Sequence, residues 1–172
     1  MPQSSETRPW PVAPRPFPEE AFGSWLGRVA SRYQLDIAKL WDISGLGSLP
    51  ALSNAGWILF PPLQPDALTI LSGLARLHED QLAQIQTPAE WIFDRPYLPY
   101  CFRCLVLNPA DVAAPRWKRA WLSPGLTECD EHRTTFERIP VGTVRRARNT
   151  DRLLALVSGY RSRRAQALFW RH

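Results

Sequence analysis

Tyr100-Cys-Phe-Arg-Cys-Leu105 and, after a loop, Thr127-Glu-Cys-Asp-Glu-His132 are the two segments on which the fold of this chain turns. Together they hold all three cysteines of the sequence and one of its three histidines, as Cys101-x-x-Cys104 and Cys129-x-x-His132. A structural zinc site needs this arrangement. Each knuckle bends the backbone so that two side chains face one ion, and the 24 residues between the pairs let them meet as a Cys₃His tetrahedron. Four protein ligands fill the shell and leave no place for an activated water. The pattern therefore predicts one structural Zn²⁺ held by Cys101, Cys104, Cys129 and His132, and not a zinc hydrolase.

Other readings of the same residues are weaker. A disulfide would leave one of three cysteines unpaired, and no secretory signal suggests an oxidising compartment. A Cys129/His132 nucleophile–base dyad would leave Cys101 and Cys104 without a role. Glycine loops that cradle phosphate, GxSxG elbows and metal-spaced carboxylates are missing from the sequence, so it is not expected to be an enzyme.

The composition, 45% hydrophobic with eight tryptophans in 172 residues, is that of a globular chain. Seventeen prolines predict short helices and rigid connectors. The fully apolar runs, Trp57 to Phe60 among them, are far short of the ~20 residues a membrane span requires. The first twenty residues are proline-rich and lack an apolar signal segment, so a cytoplasmic protein is expected. A net charge of +5 and a pI near 9.6 suggest a polyanionic neighbour.

Four regions follow from the patterning. Residues 1–18 form a proline-rich arm that either drapes over the body, docks on a partner or stays disordered. Residues 19–95 are helical. Phe22, Trp25, Leu26, Val29, Ala30 and Tyr33 make one apolar stripe, with Pro18 in the first turn and Glu19 and Glu20 at the positive end of the dipole. Asp36 caps a second helix ended by Gly45 and Gly47, and Trp57 to Phe60 is a buried anchor rather than a strand. Pro65 and Asp66 open a helix with Ala67, Ile70, Leu71 and Leu74 on its apolar face. After a break near His78 a shorter helix carries Leu82 and Ile85. The short turn invites a helix-turn-helix reading, yet Glu79-Asp-Gln-Leu-Ala-Gln-Ile-Gln86 has no cation and begins with two acids. Gln81, Gln84 and Gln86 offer donors for bases while the acids repel phosphates, so protein is the favoured contact. Residues 96–140 are the zinc-binding unit, with room for a short β-hairpin, and Trp91, Phe93, Tyr97 and Tyr100 are expected to pack it against the helices.

Residues 141–172 form a basic helical tail. From Arg145 onward there are eight arginines against one acid, Asp151, a balance of 8 − 1 = +7 that exceeds the net charge of the whole chain. A nucleic acid, an acidic protein face and plain solvation compete as explanations. The candidates for nucleic-acid contact are Arg145, Arg146, Arg148, Arg161, Arg163 and Arg164 here, and Arg116, Lys118 and Arg119 in the zinc loop. In that loop the cations alternate with Trp117 and Trp121, which suits phosphates and bases together, although Trp121 is better read as core.

The two zinc segments, Arg116-Trp-Lys-Arg-Ala-Trp121 between them and Pro18-Glu-Glu-Ala-Phe-Gly-Ser-Trp-Leu-Gly-Arg28 near the start resemble the signature of the TniQ family. In that family a CxxCL knuckle precedes a basic residue three before a tryptophan, then CxxH, and the opening segment reads P-x-E-S-x-x-S-W-L-x-R. Arg133 departs from the pattern, standing where a glycine usually follows the histidine. The resemblance implies a mainly α fold, an HTH-like helical part packed on a zinc unit, and a non-catalytic accessory protein of DNA transposition. Such a protein selects targets, linking DNA or a CRISPR RNA-guided effector complex to an AAA+ ATPase that recruits the transposase; the compact length looks like that of members associated with RNA-guided transposition. Homodimer formation is left open, and a stand-alone zinc-containing DNA-binding regulator is the alternative.

Overall fold

The computed structural model describes residues 8–107 and 114–170, which are mostly helical, with seven helices and four short strands among them. The apolar stripe near the N-terminus forms α1 (Phe22–Arg32), and Phe22, Trp25, Leu26, Val29 and Ala30 are buried along it as the spacing predicts. Its start differs from the expectation. The helix begins at Phe22, so Pro18, Glu19 and Glu20 precede its first turn and do not serve its dipole. They lie instead in a turn, closed by the Glu20 N–H on the Phe17 carbonyl, and in a bridge to the loop between the cysteine pairs, where the Ala21 N–H donates to the Trp117 carbonyl at 2.8 Å and the Arg119 N–H to that of Glu19 at 2.8 Å. A long-range backbone pairing has outweighed helix propensity.

Two glycines on α1 decide what packs there. A Cβ on Gly23 would lie 1.9 Å from the Trp57 carbonyl oxygen, and one on Gly27 would lie 2.6 Å from both Thr150 Oγ1 and the Trp57 ring. Their missing side chains admit the Trp57 segment against the helix. That segment is a buried 3₁₀ turn over Gly56–Leu59, an anchor and no strand, and the Trp57 indole N–H donates to the Ala147 carbonyl at 2.8 Å.

Helix α2 (Ile37–Ile43) is capped by Asp36, which accepts from the Lys39 N–H at 2.6 Å, and the chain leaves it through Gly45 and Gly47 at positive φ. Pro65 occupies the first turn of α3 (Pro65–Ala75), Arg76 turns the backbone left-handed, and α4 (Glu79–Gln84) follows after His78. Leu71, Leu74, Leu82 and Ile85 are buried, whereas Ala67 and Ile70 are only half-buried.

The second half is built on β1 (Tyr97–Tyr100), α5 (Phe102–Leu105), β2 (Glu128–Cys129), β3 (Thr134–Thr135) and β4 (Glu137–Pro140). β1 runs antiparallel to β4, with Tyr97 opposite Pro140 and Tyr100 opposite Glu137; β2 and β3 make the expected small hairpin. The aromatic connector before it behaves differently from expectation. Tyr100 is buried against Trp117, but Phe93 and Tyr97 are 44% and 46% exposed, because strand alternation turns Tyr97 outward while Leu98 faces in. Helices α6 (Val141–Arg146) and α7 (Thr150–Phe169) close the chain. Asn149 caps α7 and also donates to the Leu35 carbonyl, and Leu153 and Val157 are buried. From Arg161 to Trp170 every residue is exposed.

One continuous apolar cluster extends from Trp10 to Val157. The arm drapes over α1 through residues 8–18: the Trp25 indole N–H donates to the Pro14 carbonyl, and Trp10 is tied to Leu74. Residues 1–7 of that arm and 171–172 of the tail lie outside the described residues. Among the described residues no helix is long and apolar enough to cross a membrane.

Candidate metal centre and the basic residues around it

Cys101 follows β1 as the N-cap of α5, and the single turn of α5 carries Cys104 back beside it; Cys129 ends β2, and the tight turn to β3 returns His132. That turn needs a left-handed residue. Arg133 supplies it at φ 50°, with its N–H donating to the Cys129 carbonyl at 2.8 Å. The glycine of the family pattern is thereby explained, and so is the strain that arginine accepts in its place.

The four donor atoms all lie within 4.8 Å of one another. His132 Nδ1 is 3.2 Å from Cys104 Sγ, 3.5 Å from Cys101 Sγ and 3.7 Å from Cys129 Sγ, and the Cys104 and Cys129 sulfurs are 3.6 Å apart. Tetrahedral zinc, with bonds of about 2.3 Å to sulfur and 2.0–2.1 Å to nitrogen, sets neighbouring donors about 3.5–3.8 Å apart. The three cysteines are free and buried. The four residues lie close enough to bind one metal ion, and the donor set is consistent with zinc. Packed this closely, the thiols perturb one another. Burial, then the hydrogen shared with Cys129, pushes Cys104 up; on Cys129 burial is outweighed by hydrogen bonds from His132, which bring it down. A divalent cation removes this conflict by stabilising every thiolate.

The surroundings of the cluster belong to the signature segments. Lys118 pairs with Glu131 at 2.7 Å, and Glu131 in turn reaches Cys104 Sγ at 3.5 Å. Trp121 is buried between Trp117 and Phe136. Sequence reasoning missed Glu20. Fully buried, it accepts from Arg28 through Nε at 2.8 Å and Nη2 at 2.7 Å, from Ser24 Oγ at 3.0 Å and from the Phe17 N–H at 3.2 Å. Ser24 Oγ also accepts from the Trp117 N–H at 2.8 Å. The spacing 20, 24, 28 puts all three residues along one side of the approach to α1, a signal legible in the sequence.

A family model described as TniQ matches residues 11–136. The chain belongs to the TniQ family. It is a transposition-associated accessory protein of a non-catalytic family. Comparison with curated proteins returns no match. In TniQ terms, the opening P-x-E…S-W-L-x-R and the central basic-x-x-W are two sides of one joint: Glu20, Ser24 and Arg28 hold the segment that carries Trp117 and Lys118 beside the metal ligands.

The basic candidates separate in space. Arg116 is ion-paired with Glu19 and stacked 3.8 Å over the Phe17 ring, Lys118 is held by Glu131, and Arg119 reaches the Gln86 carbonyl at 3.3 Å. Trp117 and Trp121 are core, so no indole face alternates with these cations at the surface. Arg145, Arg146 and Arg148 are exposed around α6, with Arg148 3.8 Å from Asp36. On α7, Arg163 and Arg164 are exposed, whereas Arg161 donates to Glu137 at 3.1 Å and lies 3.6 Å over the Phe102 ring, binding α7 to β4 and α5 beside the metal ligands. Two glutamines of the helix pair are engaged internally. Gln81 accepts from the His78 N–H, and Gln86 links the Leu63 N–H to the Leu82 carbonyl.

Proposed function

We propose that this TniQ protein is a target-selection adaptor: one face meets a target, DNA or an RNA-guided effector complex, and another meets an AAA+ ATPase that recruits the transposase. The closed Cys₃His shell carries the reading. A cluster with four protein donors clips the fold and leaves no position for a reacting water, which suits a protein that acts by holding partners together. In this reading the ion is a single structural Zn²⁺, and α3 and α4 form an HTH-like pair that contacts protein. Its short turn and two first-turn acids support that role, as does the internal engagement of Gln81 and Gln86.

The test is co-elution of the purified chain with an AAA+ ATPase of a transposition system on size-exclusion chromatography. A stable complex is expected, with no turnover of ester, phosphate or peptide substrates. Hydrolysis abolished by Cys129→Ser would overturn the adaptor in favour of an enzyme, and sequence-specific duplex binding without any ATPase complex would favour the stand-alone regulator.

A further inference from the structure

We propose that the face shared by the zinc-binding unit and α7 is a groove for single-stranded nucleic acid, with Arg103, Arg138 and Arg164 on its phosphates and Tyr97 as a stacking platform. Three adjoining recesses of about 360, 550 and 280 Å³ line this face. The first is walled by Phe102, Arg103 and Arg161, the second by Tyr97, Arg138, Tyr160 and Arg164, and the third by Phe93, Tyr97 and Arg138. Glu137 joins the first to the second, and Tyr97 and Arg138 join the second to the third.

Charge and shape agree on the occupant. Arg103, Arg138 and Arg164 are exposed, and none of them makes an ion pair among the described residues. The groove acid, Glu137, is already neutralised by Arg161 and accepts the Tyr100 hydroxyl at 3.0 Å. Three free cations spaced along a concave surface therefore face solvent together with a half-exposed tyrosine ring. Cations tracking a backbone beside aromatic rings are how single strands are held, because every base has a face that stacks. A duplex offers phosphates but keeps its bases stacked, and leaves such recesses unfilled. Arg161 takes no phosphate here; its guanidinium is the wall that fixes α7 over Phe102.

This groove depends on the adaptor reading only for its biological setting, since ATPase co-elution and strand binding are scored separately. The experiment measures fluorescence anisotropy of the full zinc-loaded chain with labelled oligo-U RNA, oligo-dT and a DNA duplex over a salt series. The combined variant Arg103→Ala, Arg138→Ala and Arg164→Ala is expected to bind single strands at least tenfold more weakly. Its log–log salt slope should fall by about 2, from about 0.7 per phosphate lost. Arg15→Ala, Arg32→Ala and Arg152→Ala together remove the same charge from exposed positions outside these recesses and should change binding less than threefold. Tyr97→Ala should weaken single-strand binding roughly 5- to 100-fold and leave duplex binding unchanged. Zinc content and near-ultraviolet dichroism establish that each variant is folded. Binding by the groove variant equal to that of the parent overturns the proposal, as does equal loss in the control variant or a Tyr97→Ala effect on duplex alone. The relative affinity for oligo-U and oligo-dT identifies which strand the groove serves.

Discussion

Replacing Glu20 by alanine removes a fully buried carboxylate that three side-chain donor contacts and one backbone N–H converge on. The Arg28 side chain is only 10% exposed, so the substitution leaves a guanidinium with its charge largely out of water and without its counter-ion. Breaking a buried pair from one side costs about 3–5 kcal/mol. In a chain of this length that corresponds to a fall in melting temperature of roughly 6–20 °C. Part of the loss comes through Ser24, whose hydroxyl loses its acceptor while still receiving the Trp117 N–H. The damage should therefore reach the metal centre across the Glu19–Ala21 pairing with residues 117–119.

Guanidinium titration followed by tryptophan fluorescence gives the free energy, and a colorimetric chelator reports zinc release in the same samples. Zinc should leave Glu20→Ala at lower denaturant than the parent chain. The double replacement Glu20→Leu with Arg28→Met removes both charges and should cost less than Glu20→Ala alone, as apolar substitutes for buried pairs do. A cost below about 1 kcal/mol for Glu20→Ala, or a double variant worse than the single, would refute the claim that this ion pair organises the joint.

Elemental analysis should find one zinc per chain, and chelation or Cys104→Ser should unfold residues 97–140, since structural zinc contributes on the order of 10 kcal/mol to folding; a zinc-free, fully folded protein would contradict this. Arg133→Gly should stabilise the chain by about 1 kcal/mol by relieving a side chain held at positive φ, read as a rise in melting temperature of about 2–4 °C; an unchanged or lower value would mean that the turn is not strained.

What the sequence revealed was local in nature. The two knuckles, the α1 stripe, the Asp36 cap, the left-handed glycines 45 and 47 and Pro65 in the first turn of α3 each follow from spacings of a few residues. What it hid was set by partners distant in the chain. Tyr97–Tyr100 looks like an aromatic linker until Glu137–Pro140 pairs with it, and only that pairing turns Tyr97 to solvent and Leu98 to the core. Glu19 and Glu20 look like helix-dipole acids until residues 117–119 claim their backbone.

The same distinction governs the charges. A count of arginines cannot tell Arg161, engaged with Glu137 and Phe102, from Arg164 three residues further along α7, which faces an open recess. Nor can alternation of Trp117 and Trp121 with cations show that both indoles point inward while the cations pair with Glu19 and Glu131. Basic residues in this protein thus divide by what acid or ring the fold brings to them. Those that meet one hold the arm, the zinc loop and α7 together, and those that meet none, Arg103, Arg138 and Arg164 among them, keep their charge for a partner.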